Sequence, residues 1–380
     1  MSRVHSSNNF DAVRLLAAGM VLCSHQFALT ARSQTFMFGR MTLGTVGVLV
    51  FFSVSGYLVA LSWDRDPHVL RFAAKRLLRI WPGLAVVTLV AACLLGPLVT
   101  TWNLADYVRS PLTRDYFSQL YFSIQQYLPG VFEHSPFPIV NGSLWTIPIE
   151  VRWYGVLLLV GACGLLRHSL RGALLGLVCA YAVYIYLVYD VQHNPDAGLF
   201  HPGFGCEYGS FFCYGAALFR FRETWQRHPW RLLAALVVLG TILAACGYGY
   251  AALYVLLPFV VIRVGTWSTP VLRRCGRFGD FSYGIYIYAF MVQKTLVQWL
   301  GTHQPYAVGL FLAVVFTLPF AVLSWYLVER PALGLKRHLP GTGASATNVS
   351  SPSAAGAALV NAAPATHAGG VAVMSTEPDA

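Results

Sequence analysis

Gly44-Thr45-Val46-Gly47-Val48-Leu49-Val50-Phe51-Phe52-Ser53-Val54-Ser55-Gly56-Tyr57-Leu58-Val59-Ala60-Leu61-Ser62-Trp63 is a run of twenty residues without a single Asp, Glu, Lys or Arg. As a helix it is about 30 Å long, the thickness of the hydrocarbon core of a bilayer. Lipid offers no water to backbone polar groups, so a segment of this kind satisfies them within its own helix. The stretch predicts an all-α polytopic membrane protein, and composition agrees. With 56% hydrophobic residues, 11% charged residues and a mean hydropathy of +0.57, too little polar surface remains to cover a soluble chain of 380 residues.

Extending outward with a window of about 20 residues predicts ten spans: 12 to 30, 44 to 63, 80 to 99, 144 to 166, 173 to 189, 205 to 221, 232 to 247, 248 to 264, 279 to 300 and 307 to 329. The least marked boundary is the Gly247-Tyr248-Gly249-Tyr250 turn. A net charge of +11 invites a nucleic-acid reading, but the charge is arranged by side. Most of the 26 Lys and Arg fall in alternate connections, while the others hold only Arg32, Arg40, Arg109 and Arg114. By the positive-inside rule both termini and the loop from 64 to 79 are cytosolic, which predicts a multi-pass membrane protein with no nucleic-acid partner.

Arg14 and His25 interrupt the first apolar segment and no small-x-small site follows, so it is expected to be a retained helix and not a cleaved signal. Residues 340 to 380 are Ala, Gly, Ser, Thr and Pro with few large apolar side chains, which predicts a disordered cytosolic tail after a membrane domain over 8 to 335. The eight cysteines have neither metal-ligand spacing nor a paired pattern in loops, so neither zinc nor a disulfide framework is expected.

Ionisable side chains within spans carry the functional information, because lipid makes charge expensive. His25 is alone among the eleven histidines in lying inside a predicted span. It follows Arg14 by eleven positions, a rotation that returns to the same helix face about 16 Å further on. An imidazole there can take a proton from a hydroxyl and return it to a thiolate, or carry an acyl group transiently; alternatively it is a histidine satisfied by a neighbouring helix. Glu150, as far below the outer surface as His25, would orient the imidazole or form an internal ion pair with Lys294. At the other end of the first helix, Asp280 and Glu329 are the carboxylates placed to hold Arg14.

Lys75, Arg76 and Arg79 lie at the start of the third apolar segment, with Arg76 and Arg79 three apart on one helix face. Such a pair can grip phosphates, or it can serve topology alone. The second span is small-faced through Gly44, Gly47, Ser53, Ser55 and Gly56, which suits close packing or room for a narrow acyl arm. In the long outer loop, Tyr116, Phe117, Tyr121, Phe122 and Tyr127 read as an interfacial belt in preference to a sugar-stacking surface.

Taken in order, these features resemble the acyltransferase 3 family of bacterial glycan modifiers. The resemblance rests on the Arg14 to His25 spacing, on Val50-Phe51-Phe52-Ser53-Val54-Ser55-Gly56-Tyr57, and on Arg76-Leu77-Leu78-Arg79-Ile80-Trp81-Pro82. It continues through Ser143-Leu144-Trp145-Thr146-Ile147-Pro148-Ile149-Glu150 with Tyr154, Phe281-Ser282-Tyr283-Gly284-Ile285-Tyr286, and Glu329-Arg330-Pro331. It implies a ten-helix domain that moves an acyl group, acetyl by expectation, from cytosolic acyl-CoA to a hydroxyl of a saccharide or lipid-linked saccharide at the outer face. It also implies catalytic roles for His25 and Arg14, with Glu150 beside them, and donor binding by Arg76 and Arg79, with Lys75 and Glu329 nearby. Acyl-CoA would be a co-substrate, with no tightly bound cofactor.

One departure is Ala289, where many relatives carry a histidine. No fused extracytoplasmic domain is expected, which implies that the chain either completes transfer itself or hands the acyl group to a separate extracytoplasmic acyltransferase partner. A transporter or flippase of a lipid-linked sugar is the competing expectation, since buried ionisable residues serve transport equally well.

Overall fold

The computed structural model describes residues 8–34, 41–135, 137–164 and 202–340. Among these the chain is helical throughout, with no β-strand. Contacts divide it into Met1–Lys336 and Arg337–Ala380, and of the second unit only residues 337–340 are described. The predicted tail lies outside the described residues.

The first unit contains α1 (Phe10–Leu29), α2 (Leu43–Arg65), α3 (Val69–Leu89), α4 (Thr146–Ala162), α5 (Pro202–Arg220), α6 (Pro229–Ala245), α7 (Gly249–Thr266), α8 (Ser282–Leu300) and α9 (Tyr306–Ser324). These occupy the predicted span positions, except 173 to 189, which falls outside the described residues. Among the described residues, five segments are long and apolar enough to cross a membrane: Phe10–Leu29, Leu43–Arg65, Val69–Val99, Gly249–Thr266 and Tyr306–His338.

The beginning of α3 corrects the expected loop from 64 to 79. Only Asp66 to His68 is non-helical there, and His68 caps the new helix by accepting from the Arg71 amide at 3.4 Å. Helix α3 carries its basic residues inside its first turns because their long stems can lie along the protein while the charged ends find polar partners. It continues through a π-turn, Val90–Leu95.

Helix α2 is the centre of the bundle, packed between α1 and α5. Thr42 caps it by accepting from the Thr45 amide at 3.1 Å. Small residues make its contacts possible: a Cβ on Gly56 would stand 1.8 Å from the Phe212 carbonyl oxygen, and one on Gly215 of α5 would stand 2.1 Å from the Ser53 carbonyl oxygen. On its other side, Gly44 faces the Ser24 side chain and Gly47 faces the Ala17 carbonyl, so α1 and α2 run antiparallel. Gly247 takes φ +86° in the turn from α6 to α7, where the Gly247 and Tyr248 amides close the helix on the Ala244 and Leu243 carbonyls at 3.0 and 2.7 Å.

The long connection before α4 folds back into the bundle. Asn141 is 1% exposed and donates to the Ile287 carbonyl at 2.8 Å, and Thr146 shares a 2.7 Å hydrogen bond with Tyr286. Its tyrosines do not form a common belt, since Tyr116 is fully buried while Tyr121 and Tyr127 are exposed. Ala289 sits with Ala18 and Leu22 in a small apolar seam between α1 and α8, so here that position serves packing.

Candidate active site

Beside the central helix lies a cavity of about 450 Å³ walled by parts of α1, α2, α3, α4 and α8. Along α2 it reaches from Val59 to Val48, the direction in which α1 runs from Arg14 to His25. One end is strongly charged. Arg14, Arg76, Arg79 and Lys336 all line it, as do Asp11 and Asp280.

Asp280, just before α8, ties this end together. Its Oδ2 accepts from Arg14 at 2.8 Å and from Arg79, and its Oδ1 accepts from Ser282 at 2.6 Å. Arg14 also reaches Asp11 at 2.7 Å, one helical turn earlier on α1. Glu329, 2% exposed at the end of the π-turn Trp325–Glu329, stands 3.8 Å from Arg79 and accepts from Ser324 at 2.9 Å. Of the two carboxylates expected for Arg14, the structure therefore chooses Asp280 and gives Glu329 to Arg79.

Arg76 is placed differently. Its guanidinium lies over the rings of Phe72 and Tyr154 at 5.7 and 5.8 Å and donates to Ser62 at 3.2 Å. Among the described residues neither Arg76 nor Lys336 forms a salt bridge with a carboxylate, and both line the cavity. Lys75 faces elsewhere: with Arg71 it pairs with Asp66, and the hydrogen bond from Arg71, aided by Lys75, holds the Asp66 carboxyl well below the usual carboxylate range. Lys75 does not line the cavity.

Further in, Glu150 accepts from Ser55 at 2.9 Å and from Tyr154 one turn along α4. All three residues line the cavity. Glu150 therefore makes its hydrogen bonds to Ser55 and Tyr154 and not to His25. Nor does it pair with Lys294, which donates to Ser135 and the Phe137 carbonyl and lies 5.5 Å from the centre of the Phe132 ring.

His25 stands beyond the far end. Its ring meets the Phe290 ring edge-on at 5.0 Å, and its buried Nδ1 makes no hydrogen bond. Phe51 and Tyr286, whose rings meet at 5.5 Å and 71°, line the cavity, whereas His25 does not. The structure thus gathers Arg14, Arg76, Arg79 and Glu150 at one cavity, sets Glu329 beside Arg79, and leaves His25 off the lining, against Phe290.

Sequence reasoning missed Lys336, counted only as a topogenic charge. A faint signal existed, because seven residues after Glu329 is two helical turns on the same face. The role of Ser55 as a donor to Glu150 was hidden among the small residues of α2, and no local signal would have found it.

Comparison with known proteins follows this geometry. The acyltransferase domain model of the acyltransferase 3 family matches residues 7–326. An O-acetyl transferase of Shigella phage Sf6 is 31% identical over 332 residues, covering 86% of this chain and 96% of that protein. Nodulation protein 10 of Rhizobium leguminosarum bv. viciae is 30% identical over 372 residues, covering 89% of this chain and 97% of that protein. No solved structure matches the chain. The match runs over α1 to α4 and α8, and the chain belongs to the acyltransferase 3 family, as a membrane-embedded transferase enzyme.

Proposed function

We propose that this enzyme is an O-acyltransferase that moves a short acyl group, acetyl by preference, from cytosolic acyl-CoA to a hydroxyl of a saccharide or lipid-linked saccharide beyond the membrane. The observation that carries this reading is the cavity itself. Four basic side chains surround one end, two of them without a salt bridge among the described residues, while Val48, Phe51, Phe52 and Ile147 line the deep part. A phosphate-bearing donor with a narrow thioester arm has the same division of character. The Sf6 relative, named an O-acetyl transferase, supports the oxygen acceptor and the acetyl group.

In this reading Arg76 and Lys336 meet the donor phosphates, and Arg14 and Arg79, already held by Asp280, shape the entrance. The acceptor oxygen attacks the thioester carbonyl carbon while its proton passes to His25. The carbon–sulfur bond then breaks and the thiolate takes that proton, leaving an ester and a free thiol. Burial of an Nδ1 without a hydrogen-bond partner suits His25 to this exchange, since nothing competes for its lone pair or its proton.

His25→Ala and Arg14→Ala test the reading in purified protein, with acyl-CoA binding and acyl transfer measured on both. His25→Ala should cost at least about a hundredfold in rate and spare donor binding. Arg14→Ala should weaken donor binding as well, because it loosens the Asp280 arrangement. Near wild-type transfer by His25→Ala would falsify the role of the imidazole.

A further inference from the structure

The cavity closes one helical turn short of His25, and two aromatic rings close it. Phe51 of α2 and Tyr286 of α8 both line its deep end and meet at 5.5 Å. Tyr286 is pinned from a third helix by its 2.7 Å hydrogen bond with Thr146, the first residue of α4. Phe290, against which His25 stands, comes four residues after Tyr286, about 6 Å further along the helix. The other helices agree on this depth. Val48 is the last residue of α2 on the cavity, and Gly44, one turn beyond it, already faces Ser24 next to His25. Gly142 packs on the Phe290 ring so closely that a Cβ would come within 2.7 Å, leaving no bypass on that side.

We propose that Phe51 and Tyr286 form the wall that sets the length of acyl chain this enzyme accepts. The inference rests on the acyl-CoA reading above and adds the specificity determinant. The thioester arm enters from the charged end, and its acyl group points toward the rings, with His25 one turn past them. A two-carbon acyl group leaves little volume ahead of its carbonyl, whereas each further methylene must displace Phe51 or Tyr286. Tyr286 is held by Thr146 and backed by α8, so Phe51 is the ring whose removal opens space. Phe51 is only partly buried, packing against the edges of both apolar clusters, which makes its truncation tolerable.

The test is the ratio of kcat/KM for butyryl-CoA to that for acetyl-CoA, measured on the purified full-length protein as wild type, Phe51→Ala and Phe51→Leu. Wild type should favour acetyl-CoA. Phe51→Ala should raise the butyryl to acetyl ratio by about tenfold or more, the discrimination that one or two methylenes carry in a shaped apolar pocket. If Phe51→Ala does not fold, Phe51→Leu keeps most of the volume and should shift the ratio in the same direction by less. Variants that turn over acetyl-CoA with an unchanged ratio overturn the wall and leave the acyl-CoA reading standing. A wild-type protein that turns over neither thioester overturns both.

Discussion

Asp280 accepts from Arg14 and Arg79 at once, while Arg76, one turn before Arg79 on the same helix, makes no salt bridge and lies over two rings with a hydrogen bond to Ser62. The two arginines therefore differ in what their loss should do. Removing Arg79 leaves Asp280 to Arg14 alone and takes from the buried Glu329 its cationic neighbour at 3.8 Å, and breaking such a pair in a poorly solvated site costs about 3–5 kcal/mol. Arg76→Ala breaks no ion pair, so its thermal stability in detergent should stay close to wild type. Its affinity for acyl-CoA should nevertheless fall roughly tenfold or more, as expected for the loss of a charge-assisted contact. Parallel melting and binding curves for Arg76→Ala and Arg79→Ala decide the point; equal loss of stability in both would show that Arg76 is structural. The i, i+3 spacing of this pair was legible from sequence, whereas their division of labour was not. It depends on Asp280 and Glu329, some 200 and 250 positions away along the chain.

Among elements, α2 shows most clearly how contact depends on absent atoms. Gly56 touches the Phe212 carbonyl, and that contact needs both the missing side chain and the matching Gly215 on α5. Gly56→Ala should push the two helices apart and cost about 1–3 kcal/mol, the usual penalty for inserting a methyl into a filled interior. Gly155→Ala on α4 is the internal comparison, because nothing lies within 4 Å of the added carbon, and helix propensity alone should make it neutral or slightly stabilising. Thermal unfolding of both variants in detergent should separate them; a Gly56→Ala protein as stable as Gly155→Ala would mean that the α2–α5 contact yields easily. Small residues on α2 signalled close packing in the sequence, but not with which helix. Glycine leaves a surface that fits any neighbour equally well until the neighbour is known.

At the scale of the whole molecule, the basic residues remain the strongest statement about orientation. Arg14, Arg76, Arg79 and Lys336 gather at one end of the bundle, the end that the positive-inside rule assigns to the cytosol. Reporter fusions after residue 338 and after Asp66 should both report the cytosol, whereas a fusion after Arg109 should report the opposite side. Activity of the first fusion only outside the cytosol would invert the proposed donor side. What the sequence by itself determined was the class of molecule and the line of its helices. Lipid forces backbone polar groups to bond within each segment, so length and apolarity suffice to mark where helices run. Family motifs likewise survived as local strings, from Arg14 and His25 to Glu329. What only the tertiary structure decided was which charges meet: Arg14 with Asp280, Lys75 with Asp66, Glu150 with Ser55 and Tyr154, and His25 with Phe290 behind the Phe51 and Tyr286 rings. In a membrane protein the residues facing lipid are as apolar as those facing the core, so hydropathy cannot tell one face from the other. Neighbours are chosen by shape and by the few polar groups that must find one another, and that choice exists only once the helices are packed.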